Sequence, residues 1–162
     1  MLNPNKFETE IRFSLDSEEI LTRCFRERDK KKLVLPKNFP FPMGIRSYLT
    51  WKEPSGVYTY LVFKKPNWDL PRGLVFKRVN AEFSGGLCNW CNSYGSSEEI
   101  GILSVSVNSS VSFSYVICTD LRCVEKIEEM AALAGKNPEK WIHQLYDRIG
   151  NCFEGISNYK PE

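Results

Sequence analysis

Four of the six cysteines in this chain fall into two close pairs, Cys88-Asn89-Trp90-Cys91 and Cys118-Thr119-Asp120-Leu121-Arg122-Cys123. Thiolates are soft ligands, and tetrahedral Zn²⁺ takes four of them at about 2.3 Å; two tight turns can deliver two each. Gly85 and Gly86 before the first pair, with Ser93 and Gly95 after it, suit a knuckle, a turn whose backbone folds around a metal. The spacing therefore predicts one structural zinc held by Cys88, Cys91, Cys118 and Cys123. Two other chemistries compete. A Cys-x-x-Cys redox dithiol sits where a helix N-terminus stabilises the thiolate, but Ser93-Tyr94-Gly95-Ser96-Ser97 follows here and starts no helix. Disulfides belong to oxidising compartments, and the first twenty residues carry scattered charges without the apolar core of an export signal. Reduced cysteines and a cytoplasmic home follow as the expectation. Cys24 and Cys152 stand alone and read as small apolar core side chains.

The elements that must position these thiols come next. The 162 residues fit about one domain, with expected parts at 1–84 (helix plus antiparallel strands), 85–134 (the zinc module) and 135–162 (a C-terminal helix). Hydrophobic residues at 42% and aromatics at 13% mark a folded chain, and no apolar run approaches the roughly 20 residues that span a bilayer. Asp16-Ser17-Glu18-Glu19 predicts a helix start, Ile20, Leu21, Cys24 and Phe25 its inner face, and Arg28 to Lys32 its end. Leu33-Val34-Leu35 reads as a strand, and 37–44 as an extended loop set by Pro36, Pro40 and Pro42. Arg46 to Trp51 and Val57 to Phe63, joined by Glu53-Pro54-Ser55-Gly56, predict a hairpin. Gly73 to Val79 adds a strand. Ile100 to Val107 and Val111 to Ile117 form a second hairpin, after which Thr119 or Asp120 caps a helix reaching Ala134 and ended by Gly135. Asn137-Pro138-Glu139-Lys140 opens a last helix, with Trp141, Ile142, Leu145, Ile149, Cys152, Phe153 and Ile156 on its inner stripe.

Knuckle, hairpin, then helix with the last ligands at its start is the order of a treble clef. The fold class expected is α+β: an antiparallel sheet of five or more strands, a treble-clef zinc finger and a packed C-terminal helix. Four thiolates leave a formal charge near −2 on the site, which the helix N-terminus and Arg122 or Lys126 could offset.

Tyr115-Val116-Ile117-Cys118 followed by Asp120-Leu121 and Cys123 resembles the TYxC-x-DLxC step of the elongation factor G-binding zinc-finger family, the module of bacterial fusidic-acid-resistance proteins. With the LVFKR strand before it and RIGNCFEGI near the end, the resemblance runs from about residue 20 to 157. The length leaves no room for the N-terminal helical bundle of two-domain members, so the resemblance implies a stand-alone module. It also implies a binding function: gripping elongation factor G and promoting its departure from the ribosome, with fusidic acid present or not. Only the four cysteines carry over residue by residue.

For the contact surface, the residues themselves nominate Trp90 and Tyr94 in and after the knuckle, Phe113 and Tyr115 two apart on the second hairpin, and Arg122 and Lys126 four apart on the following helix. Each has a plainer role: Phe113 and Tyr115 as inward core, Trp90 as a cover over the metal. The basic residues Arg23, Arg26, Arg28, Lys30, Lys31 and Lys32 read either as a solvated helix face or as an attraction to ribosomal RNA. A zinc finger binding RNA or the ribosome directly is thus the alternative, against which the net charge of +2 weighs. His143 is the sole histidine, and no nucleophile elbow, Walker loop or dinucleotide fingerprint occurs, so no enzyme and no small-molecule substrate are expected.

Overall fold

The computed structural model describes residues 12–79 and 82–160. Residues 1–11, on which much of the export-signal reading falls, lie outside them. The order is β1 (Phe13–Leu15), α1 (Glu18–Arg23), α2 (Glu27–Lys30), β2 (Met43–Ile45), β3 (Leu49–Lys52), β4 (Tyr58–Phe63), β5 (Arg72–Arg78), β6 (Gly86–Leu87), β7 (Tyr94–Gly95), β8 (Ile100–Ser106), β9 (Ser112–Cys118), α3 (Cys123–Ala134) and α4 (Glu139–Ser157). Five strands form one antiparallel sheet in the order β3-β4-β5-β8-β9, beside the small β1-β2 and β6-β7 pairs. The α+β expectation therefore holds.

The central strands are apolar on successive residues because both faces of the sheet are covered. Leu61 and Phe63 of β4, with Leu74 and Phe76 of β5, point into a core shared with α3, α4 and the knuckle. Tyr60, Val62 and Val75 alternate to the opposite face, where Phe13, Leu15, Leu21, Phe25 and Ile45 meet them. On α4, Ile142, Leu145, Ile149, Cys152, Phe153 and Ile156 are buried as the stripe predicts, whereas Trp141 lies at its exposed edge. Cys152 is core; Cys24 is only partly buried, its thiol donating to the Ile20 carbonyl at 3.4 Å. No helix among the described residues is long and apolar enough to cross a membrane.

Local expectations need correction, among them the strand expected from Arg46, which begins only at Leu49, and the loop expected over 37–44, whose end enters β2. The first helix, capped by the Ser17 side chain, does not run to Lys32. The amide of Gly73 donates to the Cys24 carbonyl at 2.9 Å, Arg26 turns extended, and α2 begins anew. Leu33-Val34-Leu35 is no strand: Trp51 Nε1 donates to the Val34 carbonyl (2.9 Å) and the Val34 amide to the Tyr60 hydroxyl (3.3 Å), so side chains take the bonds a ladder would use. Neither Thr119 nor Asp120 is the N-cap of α3; Arg122 holds that position without a side-chain cap bond. Pro138 stands at the N-cap of α4 instead of its first turn, and Asn137 Oδ1 accepts from the Glu139 amide at 2.9 Å. Gly135 does end α3, in the left-handed conformation that a side chain would strain.

The basic stretch is a solvated helix face only in part: Arg23 and Lys31 are exposed, whereas Arg26 and Arg28 turn inward. Arg26 donates to Asp29 (2.7 Å) and to the Ser106 carbonyl (2.6 Å), and Arg28 to the Val107 carbonyl (3.2 Å). Lys30 pairs with Glu27 and Arg23 with Glu19.

Candidate metal centre

Two turns bring the four thiols together. The first lies between β6 and β7, which pair Gly86 with Gly95 and Leu87 with Tyr94. Gly85 precedes it at φ +88°, and a Cβ there would sit 2.5 Å from the Gly95 carbonyl oxygen, so only glycine fits. Within the turn, the amides of Trp90 and Cys91 each donate to Cys88 Sγ at 3.4 Å. Asn92, at φ 61°, then reverses the chain. The second turn joins β9 to α3: Cys118 ends the strand and Cys123 is the first residue of the helix. Leu121 between them is fully buried and adopts φ 58°, an uncommon conformation for a branched residue. Its carbonyl accepts from the Tyr48 hydroxyl at 2.6 Å, and that hydroxyl accepts from the Val124 amide at 3.4 Å. Tyr48 thereby clamps the strained turn to the helix start.

The sulfur geometry fits one zinc ion. All four Sγ atoms lie within 4.8 Å of one another and the four residues are buried. Cys88 and Cys123 Sγ are 3.8 Å apart and Cys91 and Cys118 Sγ 3.6 Å. A ZnS₄ tetrahedron with 2.3 Å bonds has edges of about 3.8 Å. Packed so closely, the thiols share protons. Hydrogen bonds from Cys118 and Cys123 lower the Cys88 thiol to about 7 and hold Cys91 far below its ordinary range. Cys123 is pushed up, first by Cys118 and then by Cys88 and Cys91. A bound cation removes this competition by taking the place of the protons.

Two neighbours balance the negative charge. Lys126 Nζ donates to Cys118 Sγ at 3.1 Å and stands 3.8 Å from Asp120 Oδ1. Burial opposes its charge, but contact with Cys118 and the field of Asp120 raise its pKa. The N-terminus of α3 adds its dipole at Cys123. The expectation divided this role between two residues; Lys126 fills it and Arg122, exposed and 3.9 Å from Glu125, does not.

Residues 18–156 match the FBP C-terminal treble-clef zinc-finger family. The chain belongs to that family. The fold of this treble clef is similar to that in the solved structure of the fusidic acid resistance protein FusC, at a TM-score of 0.52 and 22% identity. The match covers 91% of this chain and 59% of FusC, so the treble clef spans little more than half of that protein. No curated protein matches the chain.

The nominated contact residues scatter. Trp90 is 3% exposed: its ring meets Phe76 and Tyr115 at centroid distances of 5.8 and 6.4 Å, and its carbonyl accepts from Arg148 Nη1 at 2.7 Å. It is core beneath the knuckle, a correction to its nomination as a surface anchor. Tyr115 lies half-buried against the same rings, and burial raises its phenol. Phe113 is half-buried with its ring 5.6 Å from Tyr159. Lys126 is engaged with Cys118. Tyr94, 82% exposed, and Arg122 remain on the surface. Sequence reasoning missed Tyr48 and Arg148, whose partners lie far away in the chain, and also the exposed apolar side chains of α3. Leu133 on α3 is 90% exposed.

Proposed function

We propose that this treble clef is a non-catalytic binding protein for elongation factor G that promotes the factor's release from the ribosome in the bacterial cytoplasm. Family membership supports the reading, as does the fold shared with a protein described as a fusidic acid resistance protein. The observation that carries it is an apolar surface beside the metal centre. Met130 and Trp141 border a groove of about 310 Å³ between α3 and α4, floored by Ile127 and reaching Cys91, with Arg148 and Gln144 as polar groups. Leu133, one turn along α3 from Met130, and Tyr94, which follows the knuckle in the chain, are exposed as well. Exposed large apolar groups clustered on one face mark interaction sites more often than chance.

Release needs no bond-making. A partner that binds one conformation of the factor more tightly shifts it toward that conformation, and departure follows if the favoured form holds the ribosome less well. The zinc fits a structural role, since four thiolates leave no open position for a water or substrate. Native mass spectrometry of the zinc-loaded chain mixed with elongation factor G tests the reading. The expected result is one zinc and a one-to-one complex, weakened about tenfold or more by Tyr94→Ala with Leu133→Ala. A zinc-loaded chain that forms no complex would overturn it.

A further inference from the structure

A second site lies on the sheet face turned away from α3 and α4, at the edge of the layer formed by α1 and α2. The register places Tyr58 of β4 opposite Lys77 of β5, Lys77 opposite Ser104 of β8, and Ser106 opposite Ser112 in the next row. Side chains two apart on a strand, and those directly paired, share a face. Polar groups from four neighbouring strands are therefore gathered on one side. The β5-β8 ladder ends at Lys77↔Ser104, although both strands continue. Beyond it the Ser106 carbonyl accepts from Arg26 instead of from β5, which leaves a recess of about 260 Å³. Lys32 closes one side. Its carbonyl is held by the Tyr60 hydroxyl and its ammonium lies 6.0 Å from the Tyr58 ring centroid.

The charge in this recess is unbalanced. Asp29 lines it too, but its carboxylate is taken up by Arg26 Nε at 2.7 Å. Neither Lys32 nor Lys77 has an ion-pair partner among the described residues, and the Ser106 and Ser112 hydroxyls have no side-chain hydrogen bond there. Two lysines and the free Ser106 and Ser112 hydroxyls line a space too small for a drug-sized molecule, while the Ser104 hydroxyl donates to the Lys77 carbonyl at 3.4 Å. We propose that this recess binds a phosphate group. A phosphate offers several strong acceptor oxygens and one or two negative charges, matching hydroxyl donors and paired lysines. A carboxylate would leave part of that donor set unused. The phosphate arrives either as a small free anion or as a phosphodiester of single-stranded RNA, toward which the exposed Lys31, next to Lys32 in the chain, adds attraction.

The test uses the zinc-loaded full chain and amide chemical shifts, with chloride at matched ionic strength as the control. Inorganic phosphate should shift the amides of Lys77, Ser104, Ser106 and Ser112, and Lys32→Gln with Lys77→Gln should weaken that binding by about tenfold or more. An oligoribonucleotide without terminal phosphates that shifts the same amides assigns the site to the RNA backbone. Its salt dependence should then fall by about 1.4 in log–log slope in the double variant. Shifts with phosphate alone assign a small-anion site. Tyr94→Ala, on the partner surface, should change neither result. The proposal is overturned if neither probe moves these amides, or if the folded double variant binds as tightly as the parent.

Discussion

Replacing Lys126 by Met keeps the aliphatic stem and removes the ammonium that sits 3.1 Å from Cys118 Sγ. Two unit charges at that distance attract by about 5 kcal/mol at an effective dielectric of 20. The Lys126 side chain retains 26% of its exposure, and its nitrogen regains water when the contact is lost, so the net effect must be smaller. Charge-assisted hydrogen bonds contribute about 1.5–3 kcal/mol, and outer partners of metal ligands about 10–100-fold in affinity, which is about the same energy. Lys126→Met should therefore weaken zinc binding by about 10–100-fold, while Lys126→Arg, which keeps the charge, should stay much closer to the parent. Competition against a chromophoric chelator at neutral pH measures this directly. Affinity of the Met variant within about twofold of the parent would refute the claim that Lys126 balances the thiolates. It would leave the α3 dipole as the main compensation.

Trp90→Ala should destabilise the chain by about 3–5 kcal/mol, lowering the thermal midpoint by about 10 °C or more. Tyr94→Ala should move it by less than about 1 °C; similar melts for the two would deny the buried position of Trp90. Burial raises the Cys152 thiol to about 11 and also raises the phenols of Tyr115 and Tyr146. Because the folded values exceed the unfolded ones, this stabilisation is complete below about pH 9 and is lost as pH rises through about 11. The urea midpoint of the zinc-saturated chain should fall across that window, and a flat profile would contradict it. Gly73→Ala should cost about 1–3 kcal/mol, because its Cβ would meet the buried Phe25 ring at 2.7 Å. Gly150→Ala should be nearly neutral by the same denaturation assay, since the group it meets is the flexible Lys65 chain.

The ligand set was legible because metal coordination is a local demand. Cys88 with Cys91, and Cys118 with Cys123, lie within single turns, and the intervening hairpin shows by alternation in residues 100–117. The inner stripe of α4 and the glycine end of α3 were legible for the same reason, as short-range periodicity and backbone chemistry. The sequence alone thus determined the elements around the metal and the chemistry of the site.

Contacts between distant residues decided the remainder. The first helix ends at Arg23 because Gly73 captures the Cys24 carbonyl, and 33–35 stay out of the sheet because Trp51 and Tyr60 occupy their backbone groups. The stretch 46–48 is not strand, and Tyr48 instead holds the Leu121 turn. Trp90 looked like a surface anchor because turns are usually exposed; Phe76 and Tyr115, from two other strands, provide the pocket that buries it. Which lysine serves the thiolates, which aromatic faces solvent and where the sheet opens a recess depend on how the elements pack. A side chain's surroundings are set by strands and helices far away in the chain, and only the tertiary structure places them side by side.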